Sequence, residues 1–191
     1  MRHRKKGRVL GRSPSHRVAL FRSLASALFL TERDAELDDN EPKVKGRIIT
    51  TVQKAKEVRP LVERCITIAR DGLAAEDAAR PYATTAARNS DAWKAWRESD
   101  EWKKWNAAIA PSVKARRRVV RLLGDKKATG VLFSTIAPRF VGRTGGYTRI
   151  VRLAKPRLGD AGTRAILEFV GVRDRVAQRS QAPKVEAPAA T

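Results

Sequence analysis

The sequence predicts an α/β (α+β) domain, and three observations carry that prediction. Apolar residues recur at helical spacing in several stretches, with capping residues ahead of them. Three short segments, at 47–51, 147–153 and 164–170, read as strands from their β-branched content and flanking turns. The chain has 191 residues and one cysteine, which suits a single domain plus extensions with a modest core and no intramolecular disulfide.

Taken in order, residues 1–12 form a basic arm with Gly7, Gly11 and little to bury, expected to be disordered alone. Ser13-Pro14 reads as a helix cap followed by proline at the first helical position. The helix runs to about Leu30, with Val18, Phe21, Leu24, Ala25 and Leu28 on one face and Arg17 and Arg22 off it. Residues 32–45 form an acidic loop, expected to point away from any nucleic acid. After the strand Arg47–Thr51, Thr51 caps a helix from Val52 to about Arg70. Ala55, Val58, Val62, Cys65, Ile66 and Ala69 line its apolar face, Pro60 kinks or breaks it, and Asp71-Gly72 stops it.

Residues 73–111 change character. They are rich in alanine and hold all four tryptophans, in a repeat D-x-W-K-x-W that places Trp93 and Trp96 nine residues before Trp102 and Trp105. On one continuous helix the two pairs would point to nearly opposite sides. Either a turn at Ser99-Asp100 separates them, or the helix is buried on two sides. Ser112 then caps a helix to Leu123 that exposes Arg116, Arg117, Arg118 and Arg121 and ends at Gly124. Asp125 caps another, with Val131, Leu132, Thr135 and Ile136 as contacts, ending near Pro138. The Gly145-Gly146 turn and the two remaining strands complete a globular part spanning 13–172. Residues 173–191 are alanine, proline and polar residues, expected to be disordered.

Charge is concentrated. Residues 1–22 hold eight Lys or Arg and no acid, and residues 112–157 hold thirteen basic residues against Asp125. These two stretches contribute +8 and +12 of a net +21. Such a distribution repels itself unless a polyanion neutralises it, which points to nucleic acid bound through its phosphates. The first stretch supplies Arg2, Arg4, Lys5, Lys6, Arg8, Arg12, Arg17 and Arg22 for this purpose. In the second stretch, Gly145 and Gly146 let backbone amides approach an anion, Arg139, Arg143 and Arg149 can each fork onto a phosphate, and Tyr147 can stack on a base or donate to a phosphate. The same segment also reads as a plain helix-to-strand turn with surface arginines. The tryptophans likewise admit two readings, a small added core or anchors that dock a partner.

Catalysis finds little support. His3 and His16 have no cysteine or carboxylate partners at ligand spacing, so they suit phosphate contacts better than a metal. No Gly-rich loop ends in Lys-Ser or Lys-Thr, and no apolar run approaches the length of a membrane span. The expectation is a protein that is not an enzyme, needs no cofactor and takes no small-molecule substrate.

Four motifs carry a resemblance. They are the opening M-R-H-R-K-x-G-R-x-L, S-x-S-H-R at Ser13–Arg17, R-I-I-T-T-V-x-K-A-K-E at Arg47–Glu57, and P-R-F-x-x-R-x-G-G-Y-T-R-I at Pro138–Ile150. Together they resemble the seventeenth protein of the bacterial large ribosomal subunit, over about 1–30, 46–71 and 112–171. The resemblance implies helices packed on a small three-stranded mixed sheet, with a basic arm entering the large-subunit rRNA. It implies a cytoplasmic place in the ribosome near the exit-tunnel side, beside neighbouring large-subunit proteins. It carries RNA contact onto Arg2, His3, Arg4, Lys5, Gly7, Arg8, His16 and Arg17, and onto Arg139, Arg143, Gly145, Gly146, Tyr147 and Arg149. Ordinary members are shorter, so the acidic loop 32–45 and the Trp-rich, helical stretch 73–111 read as insertions. The family's helix-two proline falls near Arg64 rather than at Pro60. From charge alone, a DNA-compacting or regulatory protein is the alternative, although no helix-turn-helix, zinc-finger or basic-zipper pattern is visible.

Overall fold

The computed structural model describes residues 7–35 and 39–171. Arg2, His3, Arg4, Lys5, Lys6 and the tail from 173 lie outside the described residues. In chain order the elements are α1 (Pro14–Leu30), β1 (Arg47–Thr51), α2 (Val52–Ala79), α3 (Asp91–Glu98), α4 (Asp100–Leu123), α5 (Lys126–Val131), β2 (Thr148–Arg152) and β3 (Arg164–Phe169). The helices pack on one face of the small sheet, an α+β arrangement.

Ser13 caps α1 as expected, its hydroxyl accepting the His16 N–H at 3.4 Å. At the other end Thr31 donates to the Leu28 carbonyl at 2.6 Å and accepts the Gly46 N–H at 3.0 Å. These two hydrogen bonds close the base of the acidic loop and deliver the chain into β1.

The sheet has the order β1-β3-β2, with β3 antiparallel to both neighbours. It is therefore antiparallel throughout, not mixed. The connection from β2 to β3 is a short loop, which suits an antiparallel pair, whereas a parallel pair needs a long crossover. Along β3, Ala165, Leu167 and Phe169 face the helices and are buried, and Phe169 stacks on Phe29 of α1 at 6.2 Å.

Helix α2 is the central element. Its apolar stripe of Ala55, Val58, Val62, Cys65, Ile66 and Ala69 is fully buried. The helix runs through Pro60 without a break and continues past Asp71-Gly72 to Ala79, beyond the expected stop. Gly72 is not punctuation here. A Cβ on it would lie 2.9 Å from Ala115 Cβ and 3.1 Å from the Phe133 ring, so glycine is what allows α4 to approach. Thr51 begins α2 but makes no side-chain cap bond.

The region of tryptophans resolves in favour of a turn. α3 ends at Glu98, Ser99 is extended, and α4 starts at Asp100. The repeat is one residue longer than its sequence signature: Ser90 and Ser99 each accept the N–H of the tryptophan three residues on, Trp93 at 3.2 Å and Trp102 at 3.4 Å. Helix α4 then continues through Pro111 and Ser112 to Leu123, so Ser112 is not a cap. It is buried and donates to Glu76 of α2 at 2.6 Å. Gly124 terminates α4 in a left-handed conformation, as expected.

Asp125 caps α5, accepting the Ala128 N–H at 3.1 Å. The chain then widens into a π-helical turn over Leu132–Ile136 that buries Leu132, Phe133 and Ile136, and tightens again over Ala137–Phe140. Thr135, expected among the apolar contacts, is exposed, and Phe133 takes its place in the core.

Candidate nucleic-acid interface

The described part of the arm docks on α2. Arg8 Nε lies 3.3 Å from Glu57, and the Arg8 carbonyl accepts from the Arg17 guanidinium at 3.3 Å. Gly7 takes a positive φ beside the same Glu57. His16 is exposed at the start of α1. Arg12 Nε is buried with no hydrogen-bond partner among the described residues. Arg22 turns away from this surface and donates to the Leu122 and Arg121 carbonyls at 3.1 and 3.2 Å, where it complements the C-terminal dipole of α4.

The glycine turn docks on α2 as well, through different residues. Arg70 donates to the Arg143 carbonyl at 2.8 Å and to the Tyr147 hydroxyl at 3.2 Å, and Asp71 holds it from behind at 2.7 Å. That hydrogen bond to Asp71 raises the Arg70 pKa above its already high ordinary value. Glu63 accepts from the Thr148 hydroxyl at 2.9 Å. Within the turn, Arg143 Nε donates to the Gly145 carbonyl at 3.0 Å. Gly146 has a φ of +64°, the left-handed conformation that the turn requires.

Tyr147 needs a correction. It is 1% exposed, its ring packs 5.1 Å from Phe140, and its hydroxyl also accepts from Thr67 at 3.4 Å. A ring so enclosed has no free face for a base. Tyr147 anchors the turn to α2 instead. Arg139 and Arg149 are partly committed to the protein. Arg139 lies 2.9 Å from Glu32 and Arg149 lies 2.6 Å from Glu168. Both remain about one third exposed. Glu32, the first acid of the acidic loop, thus faces the turn rather than away from it.

Glu57 and Glu63 are six residues apart, which places them about 120° apart around the α2 axis. The described part of the arm and the glycine turn therefore dock on α2 at two separate positions. The intervening face exposes Lys56 and Arg64, while Arg59 lies just beyond Glu63 toward β2, exposed and 3.3 Å from the Glu63 carboxylate. A hollow of about 520 Å³ opens between this face and β2, lined by Lys56, Arg59, Arg149 and Arg152. Arm, helix face and strand edge make one cationic track. Lys56, Arg59, Arg64 and Arg152 were missed as site residues from the sequence. The signal was present for two of them, because the apolar stripe leaves 56 and 64 on the opposite arc of the helix, whereas 59 lies at the stripe's edge.

The basic stretch 112–157 does not form one patch. Arg116, expected on the exposed face of α4, turns inward. It donates to Glu76 at 2.8 Å and covers the Phe133 ring at 4.3 Å. Burial pushes the Glu76 carboxyl up, but the hydrogen bonds from Ser112 and Arg116 outweigh it and leave the group below its ordinary value. Arg117, Arg118 and Arg121 stay exposed as expected. Trp93, Trp96, Trp102 and Trp105 sit apart from the track, half-buried at the far end of α4.

Known proteins resemble the chain closely. Residues 20–170 match the family described as ribosomal protein L17. The chain is 65% identical over 186 residues to large ribosomal subunit protein bL17 of Rhodopirellula baltica, covering 97% of this chain and 89% of the relative. It is 36% identical over 169 residues to the protein of the same name from Nitratidesulfovibrio vulgaris, covering 88% and 87%. With that of Thermus thermophilus the identity is 35% over 170 residues, covering 89% and 99%.

Proposed function

The chain belongs to the ribosomal protein L17 family, a structural and non-enzymatic component of the large ribosomal subunit, and on that premise we propose that it works by binding and stabilising large-subunit rRNA. The observation that carries the reading is the cationic track on α2. Helix α2 presents Lys56, Arg59 and Arg64 beside two further basic elements, so RNA segments that would repel one another can be bridged through their phosphates. The arm of residues 1–12 extends the track, and Arg2, His3, Arg4, Lys5 and Lys6 add phosphate contacts beyond the described residues. At the other edge Arg139, Arg143 and Arg149 reach RNA across the glycine turn, each held in place by a protein acceptor. Globular part and arm thus divide the work: the first sets position, the second penetrates. The same reading places the protein in the cytoplasmic ribosome near the exit-tunnel side, against other large-subunit proteins.

Sedimentation of a gently lysed cell tests this. The protein is expected to travel with the large subunit, to be released by high salt, and to be unaffected by DNase. Release by DNase with no subunit association would favour the DNA-compacting alternative and overturn the proposal.

A further inference from the structure

The hairpin formed by the second half of α2 and the first half of α4 extends beyond the hydrophobic core. The buried residues of α4 are Ser112, Val119 and Leu123, so Trp102 lies about 15 Å along the helix from the nearest of them. At this tip the two copies of the repeat face each other. Trp96 meets Trp105 edge-on at 5.5 Å, and Trp96 Nε1 donates to the Tyr82 carbonyl at 3.2 Å, which fixes its ring. The guanidinium of Arg97 lies over both Trp93 and Trp102, at 5.0 and 5.4 Å. The four indoles line an open cup of about 480 Å³, together with Arg88, Arg97 and the 83–86 segment. That volume lies within the range of small-ligand pockets, about 300–1,000 Å³.

The lining selects the occupant. It holds two arginines and no carboxylate. Asp91 and Asp100, which open the two repeats, are paired with Lys94 and Lys103 at 3.0 and 2.8 Å. A cationic or acid-seeking guest is therefore disfavoured. Indole faces stack on flat π systems, and an arginine stacked between rings keeps its in-plane N–H groups for an anion. Flat aromatic rings carrying an adjacent negative charge are unpaired nucleotides.

We propose that the Trp93–Trp96–Trp102–Trp105 cup, with Arg97 and Arg88, captures an unstacked base of single-stranded RNA. This deepens the rRNA-binding reading and rests on it. It also gives the insertion 73–111 a task distinct from the phosphate track: the track reads charge alone, while the cup requires a base. The tip would then pin a looped-out nucleotide at a distance from the domain.

The chain offers a selective probe, because its four tryptophans all line the cup. Indole emission reports the cup, and phosphate binding on α2 is silent in it. The full chain is titrated with octauridylate at low salt, while anisotropy of labelled octauridylate follows binding anywhere on the protein. A sugar-phosphate octamer without bases serves as the charge control. Saturable loss of indole emission with octauridylate, and none with the abasic octamer, is the expected result. Stacking on aromatic side chains predicts that Trp93→Ala/Trp102→Ala weakens base-dependent binding about 5- to 150-fold. Binding by anisotropy with unchanged emission, or equal quenching by the abasic octamer, overturns the cup and leaves the rRNA reading standing. So does an emission change that appears only when large-subunit proteins are added, which would make the cup a protein dock. Failure of octauridylate to bind at all counts against both.

Discussion

Tyr147 shows how one residue can satisfy a motif for a reason other than the apparent one. Its place beside Gly145-Gly146 and among arginines suits base stacking. The fold instead encloses the ring against Phe140, and its hydroxyl accepts hydrogen bonds from Thr67 and Arg70. Tyr147→Phe is therefore expected to lower unfolding free energy by about 1 kcal/mol, the typical value of such a hydrogen bond, with rRNA affinity unchanged at low salt. A drop in affinity at constant stability, read by filter binding and denaturant titration, would restore the stacking role. Cys65 makes a complementary case. Burial pushes its thiol up to about 12, so it is a core residue with almost no thiolate at neutral pH. A thiol reagent at pH 8 should label it only in denaturant, and rapid labelling of the native protein would show the site to be open. The burial of Cys65 was legible in the helical spacing of its neighbours. That of Tyr147 was not, because it depends on Phe140 and α2 meeting from distant parts of the chain.

At the level of elements, most helices and all three strands were readable from caps and periodicity. Ser13, Gly124 and Asp125 act as the sequence indicates, because capping is a local matter. Two of the misreadings share one cause. Asp71-Gly72 and Pro111-Ser112 look like boundaries, yet two long helices pass through them. Gly72 admits α4, and Ser112 is consumed by Glu76. Contacts between the two helices, invisible in either one alone, override local punctuation. Gly72→Ala inserts a methyl 2.9 Å from Ala115 Cβ, and overpacking of this kind should cost about 1–3 kcal/mol in thermal or denaturant unfolding. Stabilisation instead would mean that the helices separate freely. The Glu76–Ser112–Arg116 cluster ties the same pair and makes it acid-sensitive. Because the folded Glu76 lies below its ordinary value of 4.5, its contribution is present above that pH. It is lost as pH falls through the lower folded value. Glu76→Gln should be less stable than the parent at neutral pH, and the difference should shrink on acidification. A gap that widens with acid would reverse the sign and contradict the assignment.

Over the whole molecule, charge was legible as an amount and only partly as a shape. The two basic stretches in the sequence are real, but folding redistributes them. Arg22 closes the end of α4, Arg116 turns to Glu76, and Arg139 and Arg149 take protein partners. In exchange, α2, which lies in a stretch (23–111) with fifteen basic and fifteen acidic residues, contributes exposed cations to the track. No count along the chain finds this, since it arises only when the arm and the glycine turn settle at two positions on one helix. The track is proposed to bind RNA through phosphates. The most direct measurement is the salt dependence of binding to large-subunit rRNA, for the full chain and for Lys56→Ala/Arg59→Ala/Arg64→Ala. The parent should show a steep log–log fall in affinity between about 50 and 200 mM salt, and the triple variant a slope smaller by about two to three, since each phosphate contact contributes roughly 0.7–0.9. A nearly flat parent curve, or a triple variant with an unchanged slope, would contradict it.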